Sequence, residues 1–387
     1  MKNRNFTYKQ LSVFGKFLAL AYTAKPDPNR LADLTIAILS DWDNSFALAR
    51  ENRIHTNLIA IVVESPNLFQ LLDKGKKKQF KSIYLTNWRR SELIRRQIVA
   101  LSTELERASS QPALMIKGGL RLFDGLYTSN PHRYMADIDL YFKDRSTLDT
   151  LAQSGYQSDN PNDFDLLNFD QQYLDWHKTQ HHHLPPVSSP NHPCYLEMHQ
   201  YLINLRAVNF CPKNALENAI AIPDLPKILA AGPVDQLILN LLHSIYGDKF
   251  TFRAKYRLRN IFEGYLLYRQ LTQTEQSQFH HHFDSIGRSD DVAFWKLLCL
   301  RLFSADEFAG PIPLRLRARF FLYARFGQNA KANATLYNFH FLFRLFGKDL
   351  WSARKLRILY KKLADKEVRR KFLSRTVGRS QTSKKNL

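Results

Sequence analysis

The chain has 387 residues, 44% of them hydrophobic, and is long enough to bury a substantial core and to form two or three structural units. Its 56 lysines and arginines against 35 acidic residues give a formal net charge of +21 at pH 7. Apolar runs are too short for a membrane-spanning helix, the first residues predict no signal peptide, and three cysteines lack CxxC spacing. These features argue against a membrane span, a disulfide framework and a cysteine zinc site, and we expect a cytoplasmic protein, either soluble or peripherally bound to a membrane.

The first 110 residues are predicted to be helical. Residues 31–54 and 91–108 show apolar residues three and four positions apart and contain few glycines. We therefore assign residues 1–110 to an N-terminal helical region.

The pattern changes at Ala113, where a predicted core over residues 111–225 begins. The run ALMI predicts a short strand, the pair Gly118 and Gly119 a turn, and LRLFDGLY a helix. The later stretch MADIDLYF alternates between apolar and polar residues. Because the side chains of a strand alternate between its faces, Asp137 and Asp139 are predicted to share one face.

A second alternating segment, CYLEMHQYL, places Glu197 and His199 on one face of another strand. A polar stretch between the two strands contains a second Asp-x-Asp at residues 163–165 and a histidine run with His182 and His183. No glycine turn precedes the second Asp-x-Asp, so we favour the first as a functional site. Consecutive histidines seldom converge on one metal, and we do not interpret them as a transition-metal site.

The last part of the chain is predicted to be helical again, over residues 226–330, followed by a basic extension over residues 331–387. Residues 315–387 carry 20 basic and 3 acidic residues, whereas residues 1–314 carry 36 and 32. Aromatic residues interleave with Arg and Lys in the extension. This pattern suits an anionic membrane surface, a nucleic acid, or a solvated charged face over a protein core, and the sequence leaves all three open.

The chemistry is expected at the first Asp-x-Asp. Two carboxylates on one face of a strand, with Glu197 as a third, can bind two divalent cations, and a glycine turn can receive phosphate oxygens. The alternatives are an exposed edge strand with solvated acids and an ordinary tight turn.

This arrangement resembles the nucleotidyltransferases with a DNA-polymerase-beta-like core, which have Gly-Gly at a helix start, a hydrophobic-flanked Asp-x-Asp and a later acid. It is more similar still to a largely uncharacterised bacterial nucleotidyltransferase family, over roughly residues 30–268. The matching positions are Lys117, Gly118, Leu126, Tyr127, Arg133, Met135, Asp137, Ile138, Asp139, Leu140 and Glu197–Met198–His199. Two departures are the interval of seventeen residues between Gly119 and Asp137 and a loose match at Glu263, which we leave out of the site.

The resemblance implies an α+β fold, in which a small mixed or antiparallel sheet with helices is flanked by the N- and C-terminal helical regions. It implies metal-binding and catalytic roles for Asp137, Asp139 and Glu197. It implies nucleotide-binding roles for Lys117, Gly118, Gly119 and Arg133. The histidines His182, His183 and His199 are candidate site-lining residues.

The implied activity is the metal-dependent transfer of a nucleoside monophosphate from an NTP to an acceptor hydroxyl, with release of pyrophosphate. Two Mg²⁺ or Mn²⁺ ions are the expected cofactors, and a small molecule, a sugar, RNA or a protein could supply the hydroxyl. The alternative is a catalytically inactive protein of the same fold that binds membrane or nucleic acid through residues 331–387.

Overall fold

In the computed structural model of the chain we describe residues 8–326, apart from residues 109, 144, 159–165, 167–170, 206 and 248–256. The second Asp-x-Asp and the basic extension predicted for residues 331–387 lie outside the described residues.

The described residues form an α+β fold with thirteen α-helices and a seven-stranded mixed sheet, in line with the predicted fold class. Six helices precede the sheet, as the periodicity of this region predicts. They are α1 (Tyr8–Ala21), α2 (Pro28–Leu39), α3 (Trp42–Glu51), α4 (His55–Glu64), α5 (Pro66–Gln70) and α6 (Lys74–Arg107). No described helix, including the 34-residue α6, is both long and apolar enough to cross a bilayer.

The seven strands are interrupted by two helices, α7 (Ser146–Gln153) and α8 (Gln171–Gln180). The strands are β1 (Ala113–Ile116), β2 (Asp137–Tyr141), β3 (Gln157–Ser158), β4 (Val187–Ser188), β5 (Tyr195–His199), β6 (Ile220–Ile222) and β7 (Leu225–Ala230). Their order across the sheet is β3-β4-β5-β2-β1-β7-β6. The central strand β2 runs antiparallel to β1 and parallel to β5. The two alternating segments of the sequence are therefore strands, as their periodicity predicts, and they are neighbours in the sheet.

The two faces of the sheet have different surroundings, and helix α6 covers the back face. The apolar residues of α6, Ile94, Ile98, Leu101 and Leu105, recur along one side of the helix and pack on the back face of the sheet. Ile138 and Leu140 of β2 are fully buried in this core. The alternation of β2 consequently turns its aspartates to the front face.

Five helices follow the sheet. They are α9 (Pro233–Leu242), α10 (Leu258–Gln270), α11 (Gln273–Ser285), α12 (Ser289–Phe303) and α13 (Leu314–Phe326). Their buried residues share one hydrophobic core with those of the N-terminal helices, and α1 packs against α12. Two helical regions that are far apart in the sequence are thus joined at the front of the sheet.

The prediction of an α-helix after the glycine pair is wrong. Gly119–Leu122 form a 3-10 helix of four residues instead. Asp124 Oδ1 accepts the backbone N–H of Leu126 at 3.0 Å, and Gly125 adopts a left-handed conformation with φ of +66°. This local turn ends the helix, because it satisfies the backbone outside a helical hydrogen-bond pattern.

Candidate active site

The acidic residues meet because β2 and β5 are parallel neighbours in a fixed register. Asp139 is paired with Glu197, and Asp137 with Tyr195. Directly paired residues project to the same face, and so do residues two positions apart. The structure therefore brings Asp137, Asp139, Glu197 and His199 to the front face of the sheet, as predicted.

Asp139 is buried and has two polar partners. Lys117 Nζ donates to its Oδ1 at 2.5 Å, and His199 Nε2 donates to the same oxygen at 2.9 Å. Burial alone would raise the pKa of Asp139, but Lys117 and His199 outweigh it and hold the pKa well below its usual range. Asp139 is consequently an ionised carboxylate at neutral pH.

Asp137 and Glu197 complete the acidic cluster on either side of Asp139. The pKa of Asp137 is raised by burial and by the negative charges of Asp139 and Glu197. Glu197 keeps 23% of its side chain exposed, and its Oε2 lies 3.7 Å from His199 Nε2. The repulsion within this cluster would be relieved by added positive charge.

The donor set fits a divalent cation. Ligand atoms of Asp139, Glu197 and His199 lie within 4.8 Å of one another, the one such group found in the described part of the chain. Mg²⁺ and Mn²⁺ prefer carboxylate oxygens. His199 Nε2 is already committed to donating to Asp139. We therefore retain Asp137 with Asp139 and Glu197 as the candidate ligands and regard His199 as the residue that positions Asp139.

The glycine pair lies beside this cluster, at the end of β1. Lys117 itself adopts the left-handed conformation, with φ of +58°, which turns the chain after the strand. A side-chain carbon added at Gly118 would overlap the guanidinium of Arg133, whereas one at Gly119 would meet Met115 Sδ at 2.9 Å. Gly118 is therefore required for the close approach of Arg133 to the backbone. The 3-10 helix is too short to support the predicted phosphate site at an α-helix N-terminus.

Arg133 is buried, and it forms an ion pair that the sequence analysis missed. Its Nε donates to Glu263 Oε1 at 2.6 Å, and Tyr127 donates its hydroxyl to the same oxygen at 2.8 Å. Burial would raise the pKa of Glu263, but Arg133, followed by Arg259 and Arg121, lowers it to about 2. The loose family match at Glu263 was the one signal in the sequence that pointed to this carboxylate.

A cavity of about 560 Å³ connects the acidic cluster to a group of arginines. It lies between the front face of the sheet, α9, the start of α10 and the junction of α3 with α4. Cationic and acidic side chains both line it. They include Arg50, Arg53, Lys117, Arg121, Arg133 and Arg259 together with Asp137, Asp139, Glu197 and Glu263. Its size lies within the range of small-ligand sites, about 300–1,000 Å³.

The three predicted histidines lie close together near the end of β5 but in different environments. The stretch 182–188 runs antiparallel beside β5, and His183 forms a backbone bridge with His199. His182 lines the cavity, and its pKa is lowered to about 3 by burial and by His183 and His199. His183 Nδ1 lies 2.8 Å from the carbonyl oxygen of Leu184. His182 is thus a neutral wall of the cavity at pH 7.

Comparison with known proteins identifies the family of the chain that carries this site. Residues 39–304 match a protein family described as an uncharacterised nucleotidyltransferase. Since the match covers more than half of the chain, the chain belongs to this family, which confirms the resemblance predicted from its motifs. No curated protein and no solved structure matches the chain. The protein is therefore a nucleotidyltransferase, and its family implies a nucleoside triphosphate as substrate.

Proposed function

We propose that the protein moves a nucleoside monophosphate from an NTP to an acceptor hydroxyl in a reaction that depends on divalent metal. The acceptor oxygen forms a bond to the α-phosphorus, and the bond from that phosphorus to the β-bridging oxygen breaks. Pyrophosphate leaves, and the proton of the hydroxyl passes to Glu197. The acceptor receives the nucleotide through a phosphodiester bond.

The observation that supports this proposal is the register pair of Asp139 with Glu197, with Asp137 on the same face, at the wall of a cavity of about 560 Å³. Carboxylates that share a concave site with several cations are the arrangement that phosphoryl-type transfer needs. Such transfer depends on the positioning of phosphates and on charge neutralisation rather than on covalent chemistry by the protein.

Each residue has a stated task in this proposal. Asp137, Asp139 and Glu197 would hold two Mg²⁺ or Mn²⁺ ions. Bound divalent cations would neutralise phosphate charge and lower the pKa of the attacking hydroxyl. Lys117, which balances Asp139 at 2.5 Å, and Arg133 are assigned to the triphosphate oxygens.

Three further residues support this arrangement. His199 holds the carboxylate of Asp139 through its 2.9 Å hydrogen bond. Gly118 gives the guanidinium of Arg133 room against the backbone. Gly119 packs toward Met115 and supports the turn from behind.

The test is the release of pyrophosphate from each NTP in the presence of a small-molecule extract as a source of acceptors. We expect a Mg²⁺-dependent rate that falls by at least about a hundredfold in Asp139→Asn. The matched control is the double variant Asp163→Asn/Asp165→Asn, which removes the second Asp-x-Asp of the same chain. Equal loss in both variants, or an unchanged rate in Asp139→Asn, would contradict the proposal.

A further inference from the structure

Several arginines line the cavity, and few acids balance them. Arg50, Arg53, Arg133 and Arg259 are among the lining residues, and Glu263 acts on both Arg133 and Arg259. Glu263 is committed to Arg133 through the 2.6 Å contact. Glu263 also acts on Arg259 at longer range, without a direct ion pair among the described residues.

The fold itself holds these arginines together. Asn52 Oδ1 accepts the backbone N–H of Leu258 at 3.1 Å, and the Asn52 carbonyl accepts that of Arg259 at 3.4 Å. Asn52 is buried, so the junction of α3 with α4 caps the first turn of α10 from the inside. Arg53, next in sequence, is held in the left-handed conformation with φ of +58°. The two arginines therefore enter the cavity from adjoining backbone segments.

Buried polar atoms without hydrogen-bond partners line the same cavity. Arg259 is only 7% exposed, and its Nε has no hydrogen-bond partner among the described residues. Nδ2 of the neighbouring Asn260, which is 4% exposed, and Nδ1 of His55 also lack partners there. All three residues line the cavity. A buried donor without a partner is costly, and a bound ligand that accepts hydrogen bonds from Arg259 Nε and Asn260 Nδ2 would remove that cost.

The charge of the arginine cluster favours an anionic ligand. Burial, together with the like charge of Arg133, lowers the pKa of Arg259 to about 10, so the guanidinium stays charged at pH 7. Burial, with Arg50 and Arg259, lowers the pKa of His55 to about 4, which leaves that imidazole neutral. Guanidinium groups match oxyanions in geometry and can bind them in a bidentate manner.

We propose that Arg53, Arg259 and Asn260 form a binding site for a phosphate-class oxyanion of a substrate, separate from the carboxylates that would hold metal. The site rests on the proposed function only in assigning the anion to a substrate of the transfer reaction. Two sources share this chemistry, the triphosphate end of the NTP and a phosphate carried by the acceptor. Lys117 contacts Asp139, so Arg53, Arg259 and Asn260 would add contacts beyond those assigned to Lys117 and Arg133.

The test is isothermal titration of the full chain with inorganic phosphate and inorganic tripolyphosphate in EDTA. We expect binding without divalent metal, with a Kd at least about tenfold higher in Arg259→Gln. Arg53→Gln changes an exposed side chain, so it tests the site even where the buried variant fails to fold. Arg96→Gln is the matched control, because Arg96 is 74% exposed on α6 and pairs with Glu92.

Two outcomes would overturn the proposal: no anion binding by the unmodified chain, or Kd values in both Arg53→Gln and Arg259→Gln equal to that of Arg96→Gln. The double variant Asp137→Asn/Asp139→Asn should still bind the anion, which separates this site from the metal-dependent function. A second titration of phosphate is made on protein saturated with Mg²⁺ and NTP. Retained binding assigns the anion to the acceptor, and lost binding assigns it to the triphosphate.

Discussion

The buried pair of Arg133 and Glu263 offers a test of how the cavity is held together. Glu263→Gln removes one negative charge and keeps a side chain of nearly the same shape. Glu263 accepts hydrogen bonds from Arg133 at 2.6 Å and Tyr127 at 2.8 Å, and its side chain is 5% exposed. The change leaves the guanidinium buried without a counter-charge, beside the like charge of Arg259.

The expected loss follows from the cost of an unpaired buried charge. Removal of one partner from such a pair costs about 3–5 kcal/mol. Because the amide still offers an acceptor oxygen, we expect the low end, about 3 kcal/mol. Glu92→Gln is the matched control. It makes the same chemical change in the pair with Arg96, whose side chain is 74% exposed, and should cost less than about 1 kcal/mol.

The assay is urea unfolding of both variants, followed by fluorescence, with midpoints compared at equal slopes. It is repeated at decreasing pH. The pKa of Glu263 is lowered from 4.5 to about 2, so its stabilising contribution is present above pH 4.5 and lost as pH falls toward 2. The difference between the unmodified chain and Glu263→Gln should shrink over that window. A loss in Glu263→Gln no larger than that in Glu92→Gln would refute the reasoning.

Three further predictions concern the cavity walls. Gly118→Ala should cost about 1–3 kcal/mol in unfolding free energy and weaken NTP binding, since the added carbon displaces Arg133. Gly119→Ala should cost less, because flexible Met115 can move. Equal costs of the two variants in urea unfolding would contradict this prediction. The pKa of His243 is lowered from 6.5 to about 3 by burial and by Lys117, so stability should fall below pH 6.5, by up to about 1.4 kcal/mol per pH unit from this group. An unfolding midpoint in His243→Gln with the same acid dependence as the unmodified chain would argue against this. Lys117→Met should tighten Mn²⁺ binding in the absence of nucleotide, because the change removes the ammonium group from the acidic cluster. Titration with Mn²⁺ measures this, and weaker binding than in the unmodified chain would contradict the prediction.

The sequence predicted the acidic strands because their signal is local. An alternation of period two decides which side chains share a face, so Asp137 with Asp139, and Glu197 with His199, could be assigned to faces from a few residues each. The family motif then predicted that the two strands lie close together.

Such local patterns do not predict contacts between segments that are distant in the sequence. Arg133 and Glu263 are 130 residues apart, and Asn52, next to Arg53, accepts a hydrogen bond from Leu258, 206 residues away. Periodicity identifies a helix face as apolar but not the element that covers it. For the same reason, the sequence did not predict that the N-terminal helices and the helices after the sheet share one core.

The helix expected after the glycines shows the opposite case, in which a local signal was present and was outweighed. LRLFDGLY contains good helix formers, but it also contains Asp124 and Gly125 in sequence. Their turn, with φ of +66° at Gly125, stops the helix after one 3-10 segment. Turn chemistry within two residues therefore outweighed the helix propensity of the whole stretch.

The central claim is most directly tested by isothermal titration of the purified chain with each of the four NTPs, with and without Mg²⁺. The unmodified chain, Asp137→Asn/Asp139→Asn and the control Asp163→Asn/Asp165→Asn are compared, and thermal unfolding verifies that each is folded. We predict Mg²⁺-dependent binding of at least one NTP that is lost in the first double variant and retained in the control. Binding of no NTP, or equal binding by both double variants, would contradict the assignment of the β2 carboxylates to a metal-and-nucleotide site.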